Sequence, residues 1–96
     1  MSPLNKKKLG ILRKKLDNLD NHLIKLIKKR TNFVSEVLKL KEYKSEIVDN
    51  KRIDYILQKI RKKSIKNKID PKITNRVWKN MIWSFIDFER RNFKKK

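Results

Sequence analysis

The residues of this chain that could do chemistry are few. Arg13, Arg30, Lys41, Arg52 and Glu89 stand out, and four of them interrupt stripes that are otherwise apolar. Most of the positive charge is lysine, so an arginine on a packing stripe is informative. Its planar fork grips a carboxylate through two hydrogen bonds, which an ammonium cannot do. Burying such charges is costly unless they are paired or meet a ligand. Arg13 and Arg30 lie 17 residues apart, about 25 Å along one helix, so no small ligand touches both from one chain. In an antiparallel dimer, Arg13 of one protomer approaches Arg30 of the other. Lys41 follows Arg30 by 11 residues, about 16 Å, and two long side chains can lean toward an anion between them. Arg52, at the start of a second helix, would close the cage with help from that helix's dipole. Such a cage suits a small, compact dianion. The competing structural account is buried ion pairs, or side chains that snorkel from stripe edges. For Asp20, also on the stripe, an inter-helix salt bridge is a sufficient explanation.

The elements that must hold these residues are helices. The 96 residues contain one glycine and two prolines, good helix formers fill most positions, and strand alternation is absent. Ser2-Pro3 reads as an N-cap followed by proline at the first helical position. Gly10 leaves the start of the first helix between Pro3 and Leu12. Its stripe runs through Arg13, Leu16, Asp20, Leu23, Ile27, Arg30, Val34, Val37 and Lys41 in steps of three and four. Leu12, Leu19, Leu26, Phe33 and Leu40 widen that face, and the helix should end near Lys44. "SEIVDNKR" is a short connection. Asp49 caps a second helix with Ile53, Ile56, Leu57, Ile60 and Ser64 on one face. "KNKIDPK" breaks it, and Asp70-Pro71 starts a third helix with Trp78, Met81, Ile82, Phe85 and Glu89 on one stripe. Trp78 packs in the core and Trp83 lies at the stripe's edge. The expected fold is all-α: one domain over residues 1–96, with one long helix and two of roughly half its length. The two shorter helices cannot cover a first helix of roughly 60 Å, so an intertwined helical homodimer is expected.

Composition narrows the function. There is no cysteine and one histidine, His22, which leaves no disulfide, thiolate metal site or multi-histidine metal site. No metal or cofactor is expected. No long apolar run is present, so neither a membrane span nor a signal peptide is expected, and the compartment is taken as cytoplasm. The net charge of +19 invites a nucleic-acid or membrane reading. Nucleic acid is disfavoured, because Arg13 and Arg30 sit on the packing stripe and not on an exposed face. A compositional preference for Lys, Ile and Asn accounts for the charge.

Arg13, Asp20 within "LDNLD", Arg30 closing "LIKLIKKR", and Lys41 in "VLKLK" together resemble the all-helical chorismate mutase family in its bacterial, single-domain, dimeric form. "DNKRIDYIL", with Asp49 and Arg52 in register, resembles the start of that family's second helix. "VWKNMIWSFIDFE" resembles its third, which ends its catalytic face in Gln or Glu, here Glu89. The resemblance covers residues from about 9 to 93. It implies the Claisen rearrangement of chorismate to prephenate in aromatic amino-acid biosynthesis, in an intertwined dimer, with no cofactor. It implies that Arg13 of the partner protomer and Arg30 bind the two carboxylates, and that Lys41 and Glu89 hydrogen-bond the ether oxygen. Arg52 and the backbone around Asp49 would hold the ring end, with Val37, Ile56, Ile82 and Ile86 as apolar walls. The position after Arg52, acidic in the mutases, is Ile53, and a third-helix position that often carries a small hydroxyl residue is Phe85. An apolar residue there and a short "SEIV" connection are similar to the isochorismate pyruvate lyases, an alternative on the same fold; Glu89 in place of their Gln favours the mutase. A basic helical nucleic-acid-binding protein is the alternative of another class.

Overall fold

The computed structural model describes residues 1–94, and three α-helices account for most of them: α1 (Pro3–Leu40), α2 (Asn50–Lys66) and α3 (Pro71–Asn92). A short 3-10 turn, Lys44–Glu46, lies between α1 and α2. Among the described residues there is no strand, and no helix is long and apolar enough to cross a membrane. The all-α expectation of one long and two shorter helices holds.

Each helix starts where the sequence signals a start. The Ser2 hydroxyl accepts from the Asn5 backbone N–H at 3.1 Å, with Pro3 in the first turn. Gly10 does not delay α1; it lies inside the helix. Asp49 accepts from the Arg52 backbone N–H at 3.0 Å, and Asp70 accepts from that of Lys72 at 2.9 Å. These bonds satisfy amide donors that have no partner within the helix.

The end of α1 differs from expectation. It stops at Leu40 rather than near Lys44, so Lys41 follows the stripe instead of belonging to it. The Lys41 N–H turns back to the Leu38 carbonyl, three residues away, at 3.2 Å. The Glu46 carboxylate takes the Glu42 backbone N–H at 3.0 Å. Leaving the helix here lets Ile47 fold inward, where it is 3% exposed. The connection is therefore part of the core, because burial of Ile47 outweighs the continued helix that the local residue types favour.

The chain divides into two units, residues 1–33 and 34–96. In the second, Leu38, Ile47, Ile82 and Ile86 form a buried cluster, with Val48, Ile53, Ile56, Leu57 and Phe93 packed against it. α2 and α3 form an antiparallel hairpin. Ser64, near the end of α2, is buried and its hydroxyl lies 2.6 Å from that of Thr74, near the start of α3. The hairpin turns through a Schellman ending: Ile69 N–H bonds Ser64 O, and Lys68 N–H bonds Ile65 O. Lys68 takes the left-handed conformation that this ending requires, at φ 57°.

In the first unit no side chain is fully buried. Leu12, Leu16, Leu19, Leu23, Leu26 and Ile27 are all about half exposed or more. Asp20 is exposed, and neither ion pair found among the described residues includes it. Among the described residues the salt bridge expected for Asp20 is thus not made. In the lysine runs, Lys6, Lys7 and Lys8 are exposed on α1, while Lys95 and Lys96 lie outside the described residues.

Candidate active site

The centre of the site is an ion pair. Lys41 Nζ donates to both carboxylate oxygens of Glu89, at 3.1 and 3.2 Å. Glu89 shares a face of α3 with Ile82 and Ile86, three and seven residues earlier, all three buried. The α3 stripe therefore carries its carboxylate into the edge of the apolar core. Lys41 reaches it because α1 has just ended. The side chains are 18% and 6% exposed respectively. An ammonium has three N–H donors. Two are directed at Glu89, which leaves one for an acceptor entering from solvent.

Arg52 is exposed in the first turn of α2, its guanidinium carbon 5.3 Å from the centre of the Tyr55 ring. That placement favours a flat, pre-oriented guanidinium. The sequence reading did not single out Tyr55; the i,i+3 spacing of Arg52 and Tyr55 on a helix is the signal that could have done so. Asp49 acts through its side chain as the α2 cap. Ile53, the next residue after Arg52, is half-buried and packs against the apolar cluster. Phe85 is half-buried on α3, and Val37 is about half exposed on α1.

Arg13 and Arg30 lie in the first unit. Arg13 is exposed; Arg30 is half-buried, with its Nε withdrawn from solvent. Both stay on α1, separated as the helix rise requires. Within the second unit, Lys41 meets Glu89 and the Asp49 side chain meets the Arg52 backbone.

An all-helical chain with a lysine and a glutamate meeting at an apolar edge, and arginines spaced along its long helix, defines the class of protein to compare it with: all-α, with cationic side chains along the long helix. The family model described as "Chorismate mutase type II" matches residues 12–90. A chorismate mutase of Methanocaldococcus jannaschii is 33% identical over 76 residues, covering 78% of this chain and 77% of the relative. No solved structure matches. The chain belongs to the chorismate mutase type II family, and its activity is that class of isomerase.

Proposed function

We propose that residues 1–96 form one chorismate mutase domain, which works as a homodimer and converts chorismate to prephenate for aromatic amino-acid biosynthesis in the cytoplasm. The observation that carries the site assignment is the double contact of Lys41 Nζ with Glu89, 48 residues apart in sequence, at the edge of the apolar cluster. The reaction is a unimolecular Claisen rearrangement. One C–O bond breaks as one C–C bond forms, and no proton, electron or group passes to the protein. Catalysis then consists of holding the substrate in a compact chair and placing donors at the oxygen where negative charge grows.

In this reading Arg30 and Arg13 of the partner protomer clamp the two carboxylates. Lys41 uses its remaining N–H on the ether oxygen. Glu89 holds Lys41 in the free site and, once protonated, donates to the same oxygen. Arg52, oriented by Tyr55, and the backbone at Asp49 face the ring end. Ile53 and Phe85 line it without a carboxylate or a small hydroxyl. Val37, Ile56, Ile82 and Ile86 wall the site.

The direct test is incubation with chorismate and, separately, with isochorismate. Prephenate from chorismate is expected. Pyruvate plus salicylate from isochorismate, with no prephenate from chorismate, would place the chain with the lyases. The shared site has its own test. Arg13→Ala and Arg30→Ala proteins, each inactive, are unfolded and refolded together. Heterodimers would carry both lesions in one site and neither in the other, so activity returns. A mixture that stays inactive although each variant folds rules the shared site out.

A further inference from the structure

Lys41 meets two demands that pull against each other. Its ammonium must be held in place at Glu89, and its backbone has just left α1. Inside a helix each residue is fixed by amide bonds to the turn before it. Beyond Leu40 that ladder is gone. A lysine side chain adds a flexible four-carbon stem, and a misplacement of about 1 Å can cost about a hundredfold in rate. Something other than the helix must therefore fix this residue.

The segment is anchored in the core at both ends, by Leu38 before it and Ile47 after it. Among the described residues the backbone bonds between these anchors are local: Lys41 N–H to Leu38 O at 3.2 Å, Glu46 N–H to Tyr43 O at 3.0 Å, and Ile47 N–H to Lys44 O at 3.2 Å. None of them joins the start of the segment to its end. A side chain does. The Glu46 carboxylate accepts the Glu42 N–H at 3.0 Å. It ties the residue after Lys41 to the residue before Ile47, so the burial of Ile47 is transmitted to the backbone that carries Lys41. A carboxylate on an amide N–H is a charge-assisted bond and a strong one. The chain has 29 Lys and Arg, yet neither ion pair found among the described residues uses Glu46. Its carboxylate is committed to the backbone.

We propose that Glu46 is a positioning residue for Lys41: its carboxylate braces the turn after α1, so that the Lys41 ammonium is held where it meets both Glu89 and the ether oxygen. The inference rests on Lys41 as the ether-oxygen donor in the reading above. That contact strengthens as negative charge grows in the transition state, so a loosened Lys41 lowers kcat and leaves KM. A brace for the fold alone would lower stability and spare kcat.

The test compares Glu46→Ala, Glu46→Gln, Ser64→Ala and Lys41→Met with wild type on chorismate, with circular dichroism and urea unfolding to check the fold. Glu46→Ala is expected to lose about tenfold in kcat, with KM within about twofold of wild type. Glu46→Gln keeps an acceptor oxygen without the charge and should stay within about twofold of wild type in both. Ser64→Ala removes the hydroxyl pair with Thr74 at the far end of the hairpin; it should lower stability and leave kcat unchanged. NMR order parameters of the Lys41 and Glu42 amides should fall in Glu46→Ala and hold in Glu46→Gln. Wild-type kcat in Glu46→Ala, with Lys41→Met impaired, overturns the proposal. A Glu46→Gln as slow as Glu46→Ala overturns it too, since Glu46 would then act by charge and not as a brace. An equal loss of kcat in Ser64→Ala would reduce the effect to stability and also overturn it. Full activity in a folded Lys41→Met would remove Lys41 from the reaction and the proposal with it, a failure that this one variant tells apart from the others. No prephenate from the wild type would count against the proposed function, and the order parameters would then judge the brace by themselves.

Discussion

Lys41 and Glu89 show how much a single pair can be asked to do. Glu89 is buried, and its carboxylate is balanced by one cation. Lys41→Met would leave that carboxylate without a counter-charge, which should cost about 3 kcal/mol, read as a shifted midpoint in urea. Adding Glu89→Leu to Lys41→Met should recover most of the stability while activity stays lost. A double variant as unstable as the single one would mean that the pair is not balanced in this way. The catalytic role separates from the structural one in Glu89→Gln, which keeps a donor and removes the ionisation. That variant should stay active. An inactive Glu89→Gln that still folds would remove Glu89 as a donor. Both residues were legible in the sequence, because a charge on an apolar stripe must be explained. Their convergence on one point followed from the family resemblance and not from the residue pattern, because it depends on where α1 stops, and no glycine or proline marks that point.

At the scale of the element, the caps were the most readable feature. Ser2-Pro3, Asp49 and Asp70-Pro71 announce helix starts through side chains that can accept an amide hydrogen bond, and each makes one. Helix ends were less readable. The end of α1 is decided by Ile47 reaching the core, a tertiary effect with no local marker. The end of α2 lay in a segment recognised as a break, but its form is a Schellman turn with lysine where glycine is usual. Lys68 therefore bears the left-handed penalty of a residue with a Cβ. Lys68→Gly should stabilise the chain by about 0.5–1 kcal/mol, the steric gain less the added freedom of the unfolded glycine. Lys68→Val should destabilise it. Thermal melts of the two variants decide the matter, and a loss of stability in Lys68→Gly would mean that the lysine side chain makes a contact worth more than the strain. Asp49→Ala should cost about 1 kcal/mol and raise KM, since it loosens the turn that presents Arg52.

At the scale of the whole molecule, the apolar residues of α1 and the proposed dimer are the same problem. The sequence already carried the mismatch between one long helix and two short ones. The structure adds that Leu12 through Ile27 are about half exposed or more within the chain, a contiguous apolar stripe of the kind that marks an interface. In the antiparallel pairing that sets Arg13 beside the partner's Arg30, Leu23 comes to lie beside the partner's Asp20, close to the two-fold axis. Leu23→Glu tests this. On a helix standing in water the change should be nearly neutral, because the leucine is 53% exposed, glutamate is a good helix former, and surface substitutions usually fall within about 0.5 kcal/mol. In the proposed dimer, symmetry makes the lesion twice, and each new carboxylate is buried against an aspartate. Leu23→Glu should then sediment as a monomer, melt at a lower temperature and lose mutase activity. Lys15→Glu, which makes a larger change of charge off the stripe, should behave as wild type. The melting temperature of the wild type should rise with protein concentration, as it must when association stabilises the fold. If Leu23→Glu keeps the mass and activity of the wild type, the stripe is not the dimer interface, and Arg13 and Arg30 cannot share a substrate in the way proposed.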